Sequence, residues 1–138
     1  MSRILLLDDS SSVRDLVGHW LTTAGHQVTK RGSSRHVARL LRTTSFDLII
    51  TDIYMPEGDG LELLTLLRTK HPQIPCIAIS SAEGELNLLP IAEKLGAVVT
   101  LRKPFAEADL NLATATALAR TTAPTTTIPS ASTAVTSH

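Results

Sequence analysis

Four short apolar runs recur along the chain, at residues 4–7, 48–50, 76–79 and 98–101. None shows the polar alternation of a strand with one wet face, so each has to be covered on both sides. A parallel sheet between two helical layers meets that demand, because its crossover connections carry helices onto both faces. These runs are expected to be strands β1, β3, β4 and β5, and a weaker segment at 27–31 supplies β2.

Helical patterns separate the runs. Val13, Leu16, Val17, Trp20 and Leu21 follow the i, i+3, i+4, i+7, i+8 stripe, with the hydroxyls of Ser10, Ser11 and Ser12 offering an N-cap; this is α1. A second helix, α2, is expected to be capped near Ser33 or Ser34 and to turn Val37, Leu40 and Leu41 inward. The third, α3, spans 60–70. In α4 the stripe Leu88, Ile91, Ala92, Leu95 contains Pro90, suited to a first helical turn, and ends at Gly96, a plausible terminator. The last, α5, covers 107–120; its Ala and Thr alternate, only Leu110, Leu112 and Leu118 are bulky, and loose packing is expected. Five βα units in some 120 residues describe an α/β, doubly wound (βα)5 sandwich with right-handed crossovers, whose ligands bind at strand C-termini.

One domain, 1–120, accounts for this pattern. From residue 121 to 138, twelve of eighteen residues are Ser, Thr or Pro, too little apolar surface to offset ordering entropy, so a flexible tail or the start of a linker is expected. The chain is 43% apolar but only 3% aromatic, which makes the core aliphatic, and Trp20 is expected within it. Thirteen basic residues balance thirteen acidic ones, arguing against direct nucleic-acid or anionic membrane binding. Only four apolar residues precede the first carboxylates, too few for a signal peptide or a membrane span, and a cytoplasmic protein is expected. Cys76 reads as a small core residue, and His19, His26, His36 and His71 as residues of solvated faces or loops.

Asp8 and Asp9 close the first strand and Asp52 closes the third, so a doubly wound sheet gathers three carboxylates at one edge. Two like charges ~4 Å apart repel by about 4 kcal/mol at an effective dielectric of 20, so the cluster needs a cation or must hold protons, and a divalent metal is the natural answer. Without His or Cys at ligand spacing, the oxygen-only set points to Mg²⁺, with Mn²⁺ as an alternative. Ser80 after the fourth strand and Lys103 after the fifth bring a hydroxyl and an ammonium to the same edge. Alone, Ser80 could merely cap the following turn and Lys103 would usually be a solvated charge; together with the carboxylates they suit phosphoryl transfer to an aspartate.

Leu6, Leu7, Asp8 and Asp9; then Asp52, Ile53, Tyr54, Met55, Pro56, Glu57, Gly58, Asp59 and Gly60; then Ile79 and Ser80; then Gly96 and Ala97; then Lys103, Pro104 and Phe105 follow one another in an order and spacing that resemble a bacterial response-regulator receiver domain, over residues 3–118. The resemblance implies a flavodoxin-like five-stranded sheet in the order 2-1-3-4-5. It implies Asp52 as phosphoacceptor, Asp9 as a direct metal ligand, Asp8 as a ligand through water, and the Tyr54 backbone carbonyl as a third protein ligand. Ser80 and Lys103 would grip the phosphoryl oxygens, and the Lys103–Pro104 bond would be cis. The group would come from a histidine kinase or a histidine phosphotransfer protein, and the α4-β5-α5 face would pass the result to a protein target. Such a domain is a signalling switch, no enzyme beyond its own phosphorylation and dephosphorylation, and is expected as a monomer or weak homodimer.

One position departs from the pattern. Receivers usually carry Tyr or Phe three residues before the lysine, where the ring couples its rotation to the phosphorylated site; here the residue is Thr100. Its small β-branched side chain lacks that reach, so output is expected to rest on Ser80 and the loop after it. The Tyr54 ring could shield the phosphorus or lie against the surface. Three rival readings remain. A degenerate receiver would act by binding alone. A haloacid-dehalogenase-type phosphohydrolase would need a carboxylate at position 54, where Tyr stands. A flavin binder would place its phosphate against Asp8 and Asp9.

Overall fold

A computed structural model of the chain describes residues 2–53, 60–80, 96–119 and 126–128. Strands β1 (Arg3–Leu7), β2 (Gln27–Arg31), β3 (Leu48–Asp52), β4 (Cys76–Ser80) and β5 (Val99–Arg102) form a parallel sheet in the order β2-β1-β3-β4-β5. The runs that lacked polar alternation are covered on both faces: Ile4 to Leu7, Leu48 to Ile50, Cys76 to Ile79 and Val99 to Leu101 are all buried, and Val98 is half-buried. The exposed edge explains the weakness of β2, where no residue is fully buried.

Successive side chains on a strand point to opposite faces, so the sheet divides its own apolar residues between two cores. Leu5, Leu7, Ile49, Cys76 and Ala78 pack with Val37 and Leu41 of α2 (Val37–Thr43) and Leu63, Leu64 and Leu67 of α3 (Gly60–Lys70). Ile4, Leu6, Leu48, Ile50, Ile77, Ile79, Val99 and Leu101 pack with Val17 and Leu21 of α1 (Ser11–Thr23) and Leu110, Ala113 and Ala117 of α5 (Glu107–Ala119). Burial pushes the Cys76 thiol well above its ordinary range, as suits a packing residue.

Helix boundaries follow local chemistry. Ser10 Oγ accepts from the Val13 amide at 3.3 Å, capping α1. Gly25, at φ +99, ends it: the Gly25 amide donates to the Thr22 carbonyl and the His26 amide to that of Leu21, a pairing that needs the left-handed residue. The helix α4 expected over 88–95 lies outside the described residues; Gly96, expected to stop it, has φ +101.

Several expectations need correction. The five expected strands stand in the expected order, and a sixth, from the segment expected to be a flexible tail, joins them: β6 (Thr126–Ile128) lies parallel to β5, pairing Val99 with Thr126, Thr100 with Thr127 and Leu101 with Ile128. These three tail residues satisfy backbone groups at an edge that would otherwise be open. The expected Ser33 or Ser34 cap of α2 is instead His36, in left-handed conformation at φ 66 and without a side-chain cap bond. Leu16, placed on the inward stripe of α1, is 49% exposed, and Trp20 is only partly buried, meeting Phe105 edge-to-face at 6.4 Å. Nor is α5 loosely packed: Leu110, Ala113, Thr114 and Ala117 form its buried stripe, while bulky Leu112 faces solvent. Small side chains let this helix settle close to the sheet.

Candidate functional site

Because β1, β3, β4 and β5 run in one direction, their C-terminal ends share one edge of the sheet. Ladder hydrogen bonds continue past the strands and hold the residues that follow. The Asp8 amide donates to the Arg31 carbonyl (3.2 Å), the Ile53 amide to Ile79 (3.0 Å) and the Lys103 amide to Ser80 (2.8 Å). Asp8, Asp52, Ser80 and Lys103 therefore reach the same edge from positions up to 95 residues apart.

Carboxylate oxygens of Asp8, Asp9 and Asp52 lie within 4.8 Å of one another, with Asp8 and Asp52 buried and Asp9 exposed. Lys103 Nζ donates to Asp8 Oδ2 at 2.9 Å and to Asp52 Oδ2 at 3.1 Å. Burial by itself pulls the Lys103 pKa down, but the Asp8 hydrogen bond and the charges of Asp52 and Asp8 outweigh it, and the ammonium is held above its ordinary range. One ammonium facing three carboxylates leaves two negative charges in excess. An oxygen-only donor set with that excess fits a hard divalent cation.

Ser80 ends β4 and is 6% exposed, with its strand pairing Asp52 to Ile79 and Ser80 to Arg102. Thr100 is fully buried in β5, between Ala78 on one side and Thr127 on the other, so it lies inside the sheet rather than at the cluster. The Lys103–Pro104 peptide is cis. Tyr54, whose carbonyl was expected to face the metal, lies outside the described residues, as do Met55, Pro56, Glu57, Gly58 and Asp59.

Two features of the site went unread in the sequence. Asp8 Oδ1 accepts from the Ser10 amide at 2.9 Å, which folds the β1–α1 connection back on itself. Arg14 Nη1 donates to the Asp8 carbonyl at 2.6 Å. The available signal was position: Arg14 lies in the first turns of α1, within reach of the strand end that the helix follows.

Comparison with known proteins agrees with this geometry. The family described as the response regulator receiver domain matches residues 4–115. The DNA-binding transcriptional regulator NtrC of Klebsiella pneumoniae is 38% identical over 100 residues, 72% of this chain and 21% of that protein. The transcriptional regulatory protein FixJ of Bradyrhizobium diazoefficiens is 35% identical over 102 residues, 74% of this chain and 49% of its own length. The chain thus spans about a fifth to a half of these curated relatives. Among solved structures, a response regulator receiver domain protein from Clostridium thermocellum superposes with a TM-score of 0.78 at 30% identity, covering 86% of this chain and 94% of that one. Fold, acidic edge and sequence agree: the chain belongs to the response regulator receiver domain family.

Proposed function

We propose that this chain is the phosphoacceptor switch of a two-component phosphorelay, with Asp52 as the residue that takes the phosphoryl group. The observation that carries the reading is the convergence of Asp52, Asp8, Asp9 and the Lys103 ammonium at one strand edge. An Asp52 carboxylate oxygen forms the new O–P bond as the N–P bond of a phosphohistidine breaks. The imidazole nitrogen of a histidine kinase or phosphotransfer protein keeps the bonding pair and later takes a proton. Lys103, released from sharing two carboxylates, would neutralise one equatorial oxygen, and the Ser80 hydroxyl would donate to another.

Asp9 and Asp52 would hold Mg²⁺ directly, with Asp8 acting through water and the Tyr54 carbonyl completing the protein ligands; Mn²⁺ would substitute. When bound, the metal supplies charge neutralisation for the transferring group. The domain would work in the cytoplasm, and no helix among the described residues is long and apolar enough to cross a membrane. Output would pass to a protein target through the face of α4, β5 and α5. With Thr100 small and wholly buried, the responsive element would be Ser80 and the loop beyond it rather than a rotating ring.

Intact-mass analysis after incubation with acetyl phosphate, with and without Mg²⁺, tests the reading in wild type and Asp52→Asn. The expected result is one added phosphoryl group that depends on Mg²⁺ and disappears in the variant. No adduct with acetyl phosphate left intact would replace this reading with a phosphorylation-independent interaction module. No adduct with rapid consumption of acetyl phosphate would point to hydrolysis.

A further inference from the structure

We infer that Arg14 is a positioning residue for the metal-binding edge, acting on the peptide that joins Asp8 to Asp9. The inference rests on reading Asp8 and Asp9 as metal-binding residues. The Asp8 carbonyl and the Asp9 amide belong to one rigid plane, so a bond that fixes the carbonyl also fixes the direction in which Asp9 leaves it. Arg14 Nη1 makes that bond at 2.6 Å.

The remaining polar groups of Asp8 are also engaged. Its amide donates to Arg31, Oδ1 accepts from the Ser10 amide and Oδ2 accepts from Lys103. These contacts hold Asp8; Asp9 itself is exposed and gains its orientation from the peptide before it. A charged guanidinium is suited to this because its hydrogen bonds are strong and directional.

The surroundings make room for the guanidinium. A Cβ added at Gly32, just beyond β2, would come within 3.0 Å of Arg14 Nη1. Arg14 therefore spans from α1, past the end of β1, to the chain after β2, and the missing side chain at Gly32 leaves its path open.

Charge and position predict opposite signs. Removing a cation near three carboxylates strengthens cation binding if the field alone matters, whereas loss of a fixed Asp9 weakens it. The experiment is Mg²⁺ calorimetry on the full chain as wild type, Arg14→Ala, Arg14→Lys and Gly32→Ala, with metal-free urea unfolding to confirm that each folds. Expected is a Kd raised about tenfold in Arg14→Ala. A smaller rise is expected in Gly32→Ala, which keeps the charge but crowds the guanidinium, and in Arg14→Lys, which keeps the charge without the planar fork. At saturating Mg²⁺ the rate of Asp52 phosphorylation by acetyl phosphate should return to within about twofold of wild type, because the metal then holds Asp9 in place. Mg²⁺ binding to Arg14→Ala as tight as, or tighter than, to wild type overturns the positioning role and leaves the phosphoacceptor reading intact. Wild type that binds no Mg²⁺ overturns the metal reading and this inference with it.

Discussion

Lys103 Nζ donates to Asp8 Oδ2 across 2.9 Å and joins two residues 95 positions apart, one after the last long strand and one after the first. The same ammonium reaches Asp52 at 3.1 Å, so in the absence of metal it offsets part of the charge of a buried pair of carboxylates.

Replacing Lys103 with Met should therefore destabilise the metal-free protein at neutral pH. Breaking a fully buried pair costs 3–5 kcal/mol; the Lys103 side chain is 24% exposed, which lowers the expectation to about 1–3 kcal/mol. The pH dependence has a definite sign. A folded-state pKa raised above the unfolded lysine value near 10.4 gives stability that is fully present below that value and lost as pH climbs through the raised one. Urea unfolding of both proteins from pH 7 to 11 should show a gap that is constant to about pH 10 and then closes. A gap unchanged at pH 11 would mean that the ammonium is not its source.

Asp9→Asn removes one of three crowded charges without touching the Lys103 contacts. Without metal the variant should melt a few degrees above wild type, because like-charge repulsion falls. With Mg²⁺ the order should reverse: a ligand that binds only the folded state adds about 2.7 kcal/mol at a hundred times its Kd, and the variant forgoes most of that. Thermal melts with and without 10-fold steps of Mg²⁺ would check both halves, and an absence of crossing would remove Asp9 from the metal site.

The fold was legible because its signal is repeated. Runs such as 48–50 and 76–79 each demand cover on both faces, and among the described residues helices α1, α2 and α3 carry the chain from one parallel strand to the next. The convergence of the candidate site was legible for the same reason: Asp8, Asp52, Ser80 and Lys103 each end or follow a strand, and parallel strands bring their ends together. What escaped was set by context rather than pattern. Leu16 fits an inward stripe by spacing, yet the stripe is wider than the surface α1 covers, so it faces water. Ala113 and Ala117 look too small to anchor α5, yet close approach to the sheet needs small residues there. Thr126, Thr127 and Ile128 lie in a composition that reads as unstructured, and they pair because the edge of β5 offers unmet backbone groups.

Thr114 is the polar member of the buried stripe on α5, and its Oγ1 has no hydrogen-bond partner. Among the described residues it shares that condition with Nδ1 of His26. A desolvated hydroxyl without a partner costs free energy that an isosteric methyl does not. Thr114→Val should raise stability by about 1 kcal/mol in urea unfolding, with no change in Mg²⁺ affinity, since α5 supplies none of the three clustered carboxylates. Equal or lower stability would show that the hydroxyl is satisfied in solution, by water or by the preceding helical turn.

Truncation after residue 120 removes β6 and reopens the outer edge of β5. The strand that loses its neighbour carries Thr100 in its middle and leads directly to Lys103, so the effect should be local to the functional half of the sheet. Three residue pairs are lost; the expected cost is about 1 kcal/mol, with faster amide exchange confined to residues 99–101. An uncovered parallel edge also presents free N–H and C=O groups to a second chain, so the truncated protein should self-associate at concentrations where the full chain does not. Hydrogen exchange and light scattering on the two proteins measure these effects separately. Unchanged exchange at 99–101 would show that β6 does not protect β5, and self-association without a change in exchange would locate the exposed contact elsewhere, with the solvent-facing Leu112 of α5 the first residue to substitute.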